Sequence, residues 1–182
     1  SDPAGWRKTT LEERHKIMYE AANRLGEMRG DLIGCMCAIT GKTVVEGDVE
    51  VSEGIDYARF YTTSMKLFAD LPDVDITPEG TVLVISPWNF PCAIPIGGIV
   101  AALAGGNTVI LKPATVAAPV AWLFAQAFWD AGVPKEALQV IITDRDALKV
   151  LTSAPAIKHI ILTGGTDTAQ NIARSNPSTP LS

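Results

Sequence analysis

The chain has little of what would make it a metal, disulfide-stapled, membrane or nucleic-acid-binding protein. Its 182 residues hold three cysteines and two histidines. Cys35, Cys37 and Cys92 form no Cys-x-x-Cys pair and are odd in number, so neither a zinc site nor a disulfide framework is expected, and a reduced, cytoplasmic setting is. His15 and His159 show no ligand spacing. No apolar run reaches the roughly 18 residues a membrane span needs, and the polar N-terminus carries no signal-like hydrophobic stretch. Basic residues are outnumbered, with a net charge of −5, which argues against a nucleic-acid or anionic-membrane partner. No repeat or low-complexity segment occurs. What remains is 47% apolar and 19% charged, enough to bury a sizeable core.

Within that core-forming chain, the span from Gly80 to Ala114 organises the rest. Thr81 to Ile85 and Thr108 to Leu111 are short β-branched runs. Ala93 to Ala104 between them is long enough for a crossover helix, and Gly105-Gly106-Asn107 supplies the return turn. Continuous apolar strands joined this way describe a βαβ unit in a parallel sheet covered on both faces. Ligands in such sheets gather beyond the carboxyl ends of the strands, which places Ser86-Pro87-Trp88-Asn89-Phe90 and Lys112-Pro113-Ala114 where function should be sought.

Upstream, Thr10 and Glu13 form a capping-box signature before a helix whose stripe is Ile17, Met18, Ala21, Ala22, Leu25 and Met28. Gly30-Asp31 is expected to break it before Leu32 to Ala38. Thr40-Gly41-Lys42-Thr43 reads as a turn; a phosphate-loop reading fails because residue 36 is Met36, not glycine. The acidic stretch Glu46 to Glu53 leads into a long helix, and Glu53 and Asp56 read as acids complementing its N-terminal dipole rather than as an acid–base pair. Downstream, a helix over Thr115 to Ala131 closes on Gly132 and Pro134. Strands at Leu138–Ile142 and His159–Thr163 alternate with helices at Arg145–Leu151 and Asp167–Ala173, and Ser175 to Ser182 carries no closing element. The expected fold is α/β, a doubly wound, mainly parallel Rossmann-like sheet, with residues 1–78 a helical segment and 79–182 the nucleotide-binding part.

Asn89 follows Pro87-Trp88, so its carboxamide sits in a stiff loop, suited to meet a developing oxyanion without reorganising; the alternative is a turn asparagine bonding its own backbone. Lys112, at a strand end, can reach a ribose or phosphate or be a solvated surface lysine. Thr163 to Thr166 opens a helix with two glycines, letting backbone N–H groups approach a pyrophosphate. Cys92 has no His or Lys beside it in sequence and reads as a small buried apolar residue, not a nucleophile.

Three segments together, Pro87-Trp-Asn-Phe-Pro91, Gly106-Asn-Thr-Val-Ile-Leu-Lys-Pro-Ala114 and Leu162-Thr-Gly-Gly-Thr166, resemble the ordered signatures of the aldehyde dehydrogenase superfamily. Gly41-Lys42 and Glu46 to Tyr57 are similar to the branch that oxidises glutamate semialdehyde, the open form of pyrroline-5-carboxylate, a branch often fused to proline dehydrogenase. The resemblance implies Asn89 as the oxyanion-stabilising residue and Phe90 beside the aldehyde's aliphatic stem. It implies Lys112 on the adenosine ribose, Ile85, Ser86, Pro87 and Trp88 along the cofactor channel, and Gly164, Gly165 and Thr166 near the pyrophosphate. The implied cofactor is NAD, with NADP possible. The implied parent is homo-oligomeric and takes a small aldehyde.

Three departures accompany the resemblance: Thr115 stands where an acid often holds the ribose hydroxyls, Thr143-Asp-Arg-Asp146 replaces a glycine-rich segment, and Gly165 replaces a common serine. Cofactor affinity is expected to be low or altered. A Glu-x-Gly-Gly-Lys segment with the general base, and later a nucleophilic cysteine, are expected after Ser182, making these residues an incomplete aldehyde dehydrogenase fold. Thiohemiacetal formation requires that cysteine, so the 182 residues alone are expected not to oxidise aldehydes. A reductase of acyl phosphates such as glutamyl phosphate, and a nucleotide-binding module without catalysis, are the alternatives.

Overall fold

A computed structural model describes residues 2–182. Three helices come first: α1 (Leu11–Glu27), α2 (Arg29–Thr40) and α3 (Val44–Ala69). Alternation then sets in with β1 (Thr81–Ile85), α4 (Ala93–Ala104), β2 (Thr108–Lys112), α5 (Ala118–Asp130), β3 (Leu138–Val140), α6 (Arg145–Thr152), β4 (Ile157–Leu162) and α7 (Thr166–Ser175). The sheet order is β3-β2-β1-β4, every neighbouring pair parallel.

Strand alternation sorts the core into two layers. Val82, Val84, Val109 and Leu111 face a large cluster with α1 to α5, where Met18, Leu25, Phe124 and Phe128 are fully buried. Each such side chain contributes about 1.5–3 kcal/mol by leaving water. Leu83, Ile85 and Ile160 face the opposite way, against Ile172 of α7 and the partly buried Leu148 and Leu151 of α6. The chain is therefore wound in both directions from β1, and the strand order reverses between β1 and β4. Helices α1 to α3 share one core with the sheet, and two donors fasten the N-terminal end to the end of α4: Trp6 Nε1, in a 3-10 turn before α1, to the Leu103 carbonyl at 3.3 Å and Arg14 Nε of α1 to the Ala104 carbonyl at 3.0 Å.

Several local expectations meet their structure here. The Thr10–Glu13 capping box is complete, Glu13 N–H donating to Thr10 Oγ1 and Thr10 N–H to Glu13 Oε2. The break after α1 falls at Met28, and Gly30-Asp31 lies inside α2, because no positive φ is taken there. Gly-Lys-Thr is a joint between helices: Gly41 closes α2 at φ 71° and Thr43 caps α3, with Glu46 completing a second capping box. That start corrects the reading of Glu53 and Asp56 as N-terminal acids. Both lie well inside a helix that begins at Val44, and Glu53 accepts a bond from Tyr57 Oη at 2.9 Å. A final correction concerns the tail. Leu181 pairs in parallel with Ile160, with Ile160 N–H donating to the Pro180 carbonyl and Ser182 N–H to the Ile160 carbonyl, so the free edge of β4 is covered. A pairing segment this short between Pro180 and the last residue carries no alternation to betray it.

Candidate functional site

The carboxyl ends of β1, β2 and β4 stand level, with Ile85 opposite both Lys112 and Leu162. Backbone bonds then lash their loops together. Ser86 N–H donates to the Lys112 carbonyl at 3.3 Å, Ala114 N–H to the Ser86 carbonyl at 3.1 Å, and Thr163 N–H to the Ile85 carbonyl at 3.0 Å. The loops bearing Asn89, Lys112 and Gly164-Gly165 thus share one rim, at the point where strand order reverses and open α/β sheets bind their ligands.

On that rim the groups able to do chemistry are free to meet a ligand. Asn89 is exposed, and its carboxamide makes no hydrogen bond among the described residues, so it does not act as a self-bonded turn asparagine. Trp88 and Phe90 beside it are 56% and 43% exposed. Ile85 and Ser86 are buried at the loop's root, Pro87 is half-buried, and the Ser86 hydroxyl finds no partner. Lys112 is half-buried, and burial alone pushes its ammonium below the ordinary lysine range, with no carboxylate facing it. Gly165 precedes α7 with no side-chain cap on the helix, and a Cβ built there meets nothing within 4 Å, so the backbone faces open space. Gly164 and Thr166 are exposed beside it.

The feature the sequence reading missed is Glu50. It lies in α3 at 1% exposure, and its Oε1 accepts from the Cys92 and Ala93 amides at 2.7 and 3.2 Å. Its Oε2 sits 3.0 Å from Lys42 Nζ, which in turn lies 4.2 Å from the centroid of the Phe90 ring. The available signal was an acid on the buried stripe of α3, set among Gly47, Val51, Gly54 and Ile55. Cys92 itself is fully buried, and burial, reinforced by the Glu50 charge, drives its thiol far above the usual range; it is not a nucleophile.

Two other arrangements on the surface resemble sites. Ser182 Oγ, His159 and Glu79 have the order of a nucleophile, base and acid, at 2.8 and 3.6 Å. The second separation is too long for a hydrogen bond and the bond to Ser182 lies open to solvent, so the contact ties the tail to β4. At the β3 end of the rim, Trp122, Leu123, Val140 and Ile142 line a hollow of about 600 Å³ that offers apolar surface but no titratable group. Among the described residues no helix is long and apolar enough to cross a membrane.

Residues 2–181 match the aldehyde dehydrogenase family. The chain is 34% identical over 173 residues to a 1-pyrroline-5-carboxylate dehydrogenase of Geobacillus sp. (strain WCH70), covering 89% of this chain and 34% of that protein. It is 33% identical over 171 residues to the bifunctional protein PutA of Salmonella typhimurium, covering 93% of this chain and 13% of that protein. Among solved structures, proline utilization A from Corynebacterium freiburgense superposes with a TM-score of 0.92 at 38% identity, over 98% of this chain and 19% of that one. An NAD-dependent benzaldehyde dehydrogenase from Corynebacterium glutamicum superposes at 0.87 and 25% identity, over 98% of this chain and 43% of that one. The chain spans about a third or less of the length of these sequence relatives. By the extent of the match, and by a rim that carries its three signatures side by side, the chain belongs to the aldehyde dehydrogenase family.

Proposed function

We propose that this chain supplies the cofactor-binding part of an NAD(P)-dependent aldehyde dehydrogenase that oxidises L-glutamate γ-semialdehyde, the open form of pyrroline-5-carboxylate, to glutamate. Residues 79–182 form the dinucleotide-binding part in this reading, and residues 1–78 its helical cover. The observation that carries it is the rim: an unbonded Asn89 carboxamide, an unpaired half-buried lysine and an uncapped helix start, held together by the bonds among their loops. The names of the relatives, 1-pyrroline-5-carboxylate dehydrogenase among them, support the choice of aldehyde.

The residues present fit a nicotinamide dinucleotide. The Ser86 hydroxyl is buried without a partner, the half-buried Lys112 ammonium has no carboxylate facing it among the described residues, and the open backbone at Gly165 admits a pyrophosphate. Lys112 would hold the adenosine ribose, Gly164, Gly165 and Thr166 the pyrophosphate, and Ile85, Ser86, Pro87 and Trp88 the wall toward the nicotinamide. When bound, the cofactor supplies the hydride acceptor. We assign NAD as the cofactor; NADP is admitted because Thr115, exposed and uncharged, stands where a carboxylate would repel a 2′-phosphate.

This chain's own contribution to the chemistry is Asn89. Its N–H meets the carbonyl oxygen as negative charge grows there, and the loop's stiffness spares any reorganisation at that moment. Phe90 bounds the stem of the aldehyde. The chain spans about a third or less of its sequence relatives, and in this reading the nucleophile and general base come from the rest of the enzyme, so the 182 residues are expected to bind cofactor without turning over aldehyde. The bifunctional relative supports fusion of the parent to a second activity, proline dehydrogenase in this reading, and we assign the parent as a homo-oligomer in a cytoplasmic setting. Calorimetric titration of the chain with NAD and NADP tests the cofactor half: saturable binding weakened by Lys112→Ala is expected, and no heat with either nucleotide would overturn it. The other half is tested by NADH production from glutamate semialdehyde by the full-length protein and its absence from the 182 residues.

A further inference from the structure

We propose that Glu50 and Lys42, outside the cofactor-binding half, are positioning residues that hold the Asn89 loop in its working geometry; the inference rests on the dehydrogenase reading above. Helix α4 begins without a cap of its own. Its N-cap is Cys92, which makes no side-chain bond, and its first turn, Ala93-Ile94-Pro95, carries no acid. Buried amides at such a start need acceptors from elsewhere. Glu50 Oε1 supplies one to Cys92 N–H and Ala93 N–H together, from 42 and 43 residues upstream.

The other oxygen extends the hold. Glu50 Oε2 forms an ion pair with Lys42 Nζ at 3.0 Å, a charge contact without hydrogen-bond alignment, and that ammonium lies against the face of Phe90, 4.2 Å from its centroid. One carboxylate therefore grips Cys92 and Ala93 directly and Phe90 through a cation. On the other side of the loop, Ser86 is bonded to both Lys112 and Ala114. Asn89 stands between two anchored ends, and its carboxamide is held by nothing else. Burying an ion pair is a weak route to stability, since apolar residues of similar volume do as well. A carboxylate and an ammonium at this place are explained by the geometry they impose on the loop, which is what a preorganised oxyanion donor requires.

The test has two readouts. In the 182-residue chain, hydrogen exchange at Cys92 and Ala93 reports the clamp directly. Glu50→Gln keeps the shape and one acceptor but loses the charge facing Lys42, and exchange at these amides is expected to speed at least tenfold while NAD affinity stays within twofold of wild type. In the full-length enzyme, Glu50→Gln and Lys42→Met are each expected to lower kcat tenfold or more with KM for NAD unchanged, and Lys42→Arg to recover most of the loss. Native kcat in either charge-removing variant, unchanged exchange in Glu50→Gln, or kcat and NAD affinity falling together as in general unfolding would overturn the proposal. Should Glu50→Gln fail to fold, Lys42→Met is read by kcat and KM for NAD alone, because it leaves Oε1 on its two amides and exchange there is expected to stay near the wild-type rate. A wild-type full-length protein that oxidises no aldehyde would sink the dehydrogenase reading instead, and the exchange measurement would still decide whether the clamp exists.

Discussion

Truncating Asn89 to alanine removes a carboxamide that is exposed and bonds nothing among the described residues. Its removal leaves no buried group unpaired and opens no cavity, so none of the mechanisms that make substitutions costly applies. The stability of the 182-residue chain should stay within about 0.5 kcal/mol of wild type. The transition state is a different matter. A preorganised donor to an oxyanion contributes roughly 2.7–4 kcal/mol, or 10² to 10³ in kcat. Asn89→Ala in the full-length enzyme is therefore expected to lower kcat by that factor, with NAD affinity unchanged, because the proposed function puts the residue against the aldehyde and not the cofactor. Urea unfolding with an unchanged m value supplies the first quantity, and initial rates with glutamate semialdehyde the second. A loss of stability above about 1 kcal/mol would mean the side chain has a structural bond not seen here. A kcat within threefold of wild type would remove Asn89 from the chemistry and with it the main role assigned to the loop.

The remaining predictions follow from single contacts. Gly34→Ala, in α2 with nothing within 4 Å of the new methyl, should stabilise the chain by about 1 kcal/mol in urea unfolding, the helix-propensity gain alone. The same change at Gly98 places a methyl 3.0 Å from Cγ1 of Val84, a buried β-branched residue in mid-strand, and overpacking of about 1–3 kcal/mol should outweigh that gain. Glu13 and Glu46 are held below the ordinary 4.5 by the Thr10 and Thr43 amides; their stabilisation is present above that value and lost as pH falls through the lower folded values, which carboxyl titration by NMR checks. Lys112 loses its proton below the ordinary lysine range, so NAD affinity should weaken as pH rises through that lowered value, and calorimetry should show Lys112→Arg keeping affinity at alkaline pH.

Much of the architecture could be read locally because each piece carries its own punctuation. Thr10 and Glu13 announce α1, Gly132 at φ 112° ends the α5 region, and the β-branched runs of β1 and β2 are flanked by glycine and proline. Boundaries failed where the local signal was passed over or missing. Thr43-Val-Val-Glu46 is itself a capping-box pattern, and taking it as such would have begun α3 at Val44 and placed Glu53 and Asp56 in mid-helix. Thr115 to Ala117 is a 3-10 turn before α5, a distinction that Pro119 blurs in the sequence. Pairing of Leu181 with β4 depends on the exposed edge of a strand, a property of the assembled sheet. Of the candidate site, the two loops and the glycine turn were legible because βαβ order alone places them at one end of the sheet.

Glu50 shows why the rest was not. Four acids, Glu46, Asp48, Glu50 and Glu53, fall within eight residues, and composition cannot say which one is buried. Counting along α3 narrows the choice. The buried positions Gly47, Val51, Gly54, Ile55, Ala58 and Thr62 follow helical spacing, and Glu50 is the acid that falls among them. An acid on such a stripe demands a partner, since an unpaired buried carboxylate is far too costly to keep. The matching demand is written at α4, which starts on Cys-Ala-Ile-Pro with no residue able to accept from its first amides. The two demands lie 42 residues apart, and only the packing of α3 on α4 brings them together; with Gly54 close against Ile96 and Gly97 against Tyr57, those helices approach tightly enough for Oε1 to reach both amides. A polar residue on an apolar stripe and an uncapped buried helix start are each ambiguous alone. Taken as a pair they specify the contact, and that contact fixes one end of the loop that carries Asn89.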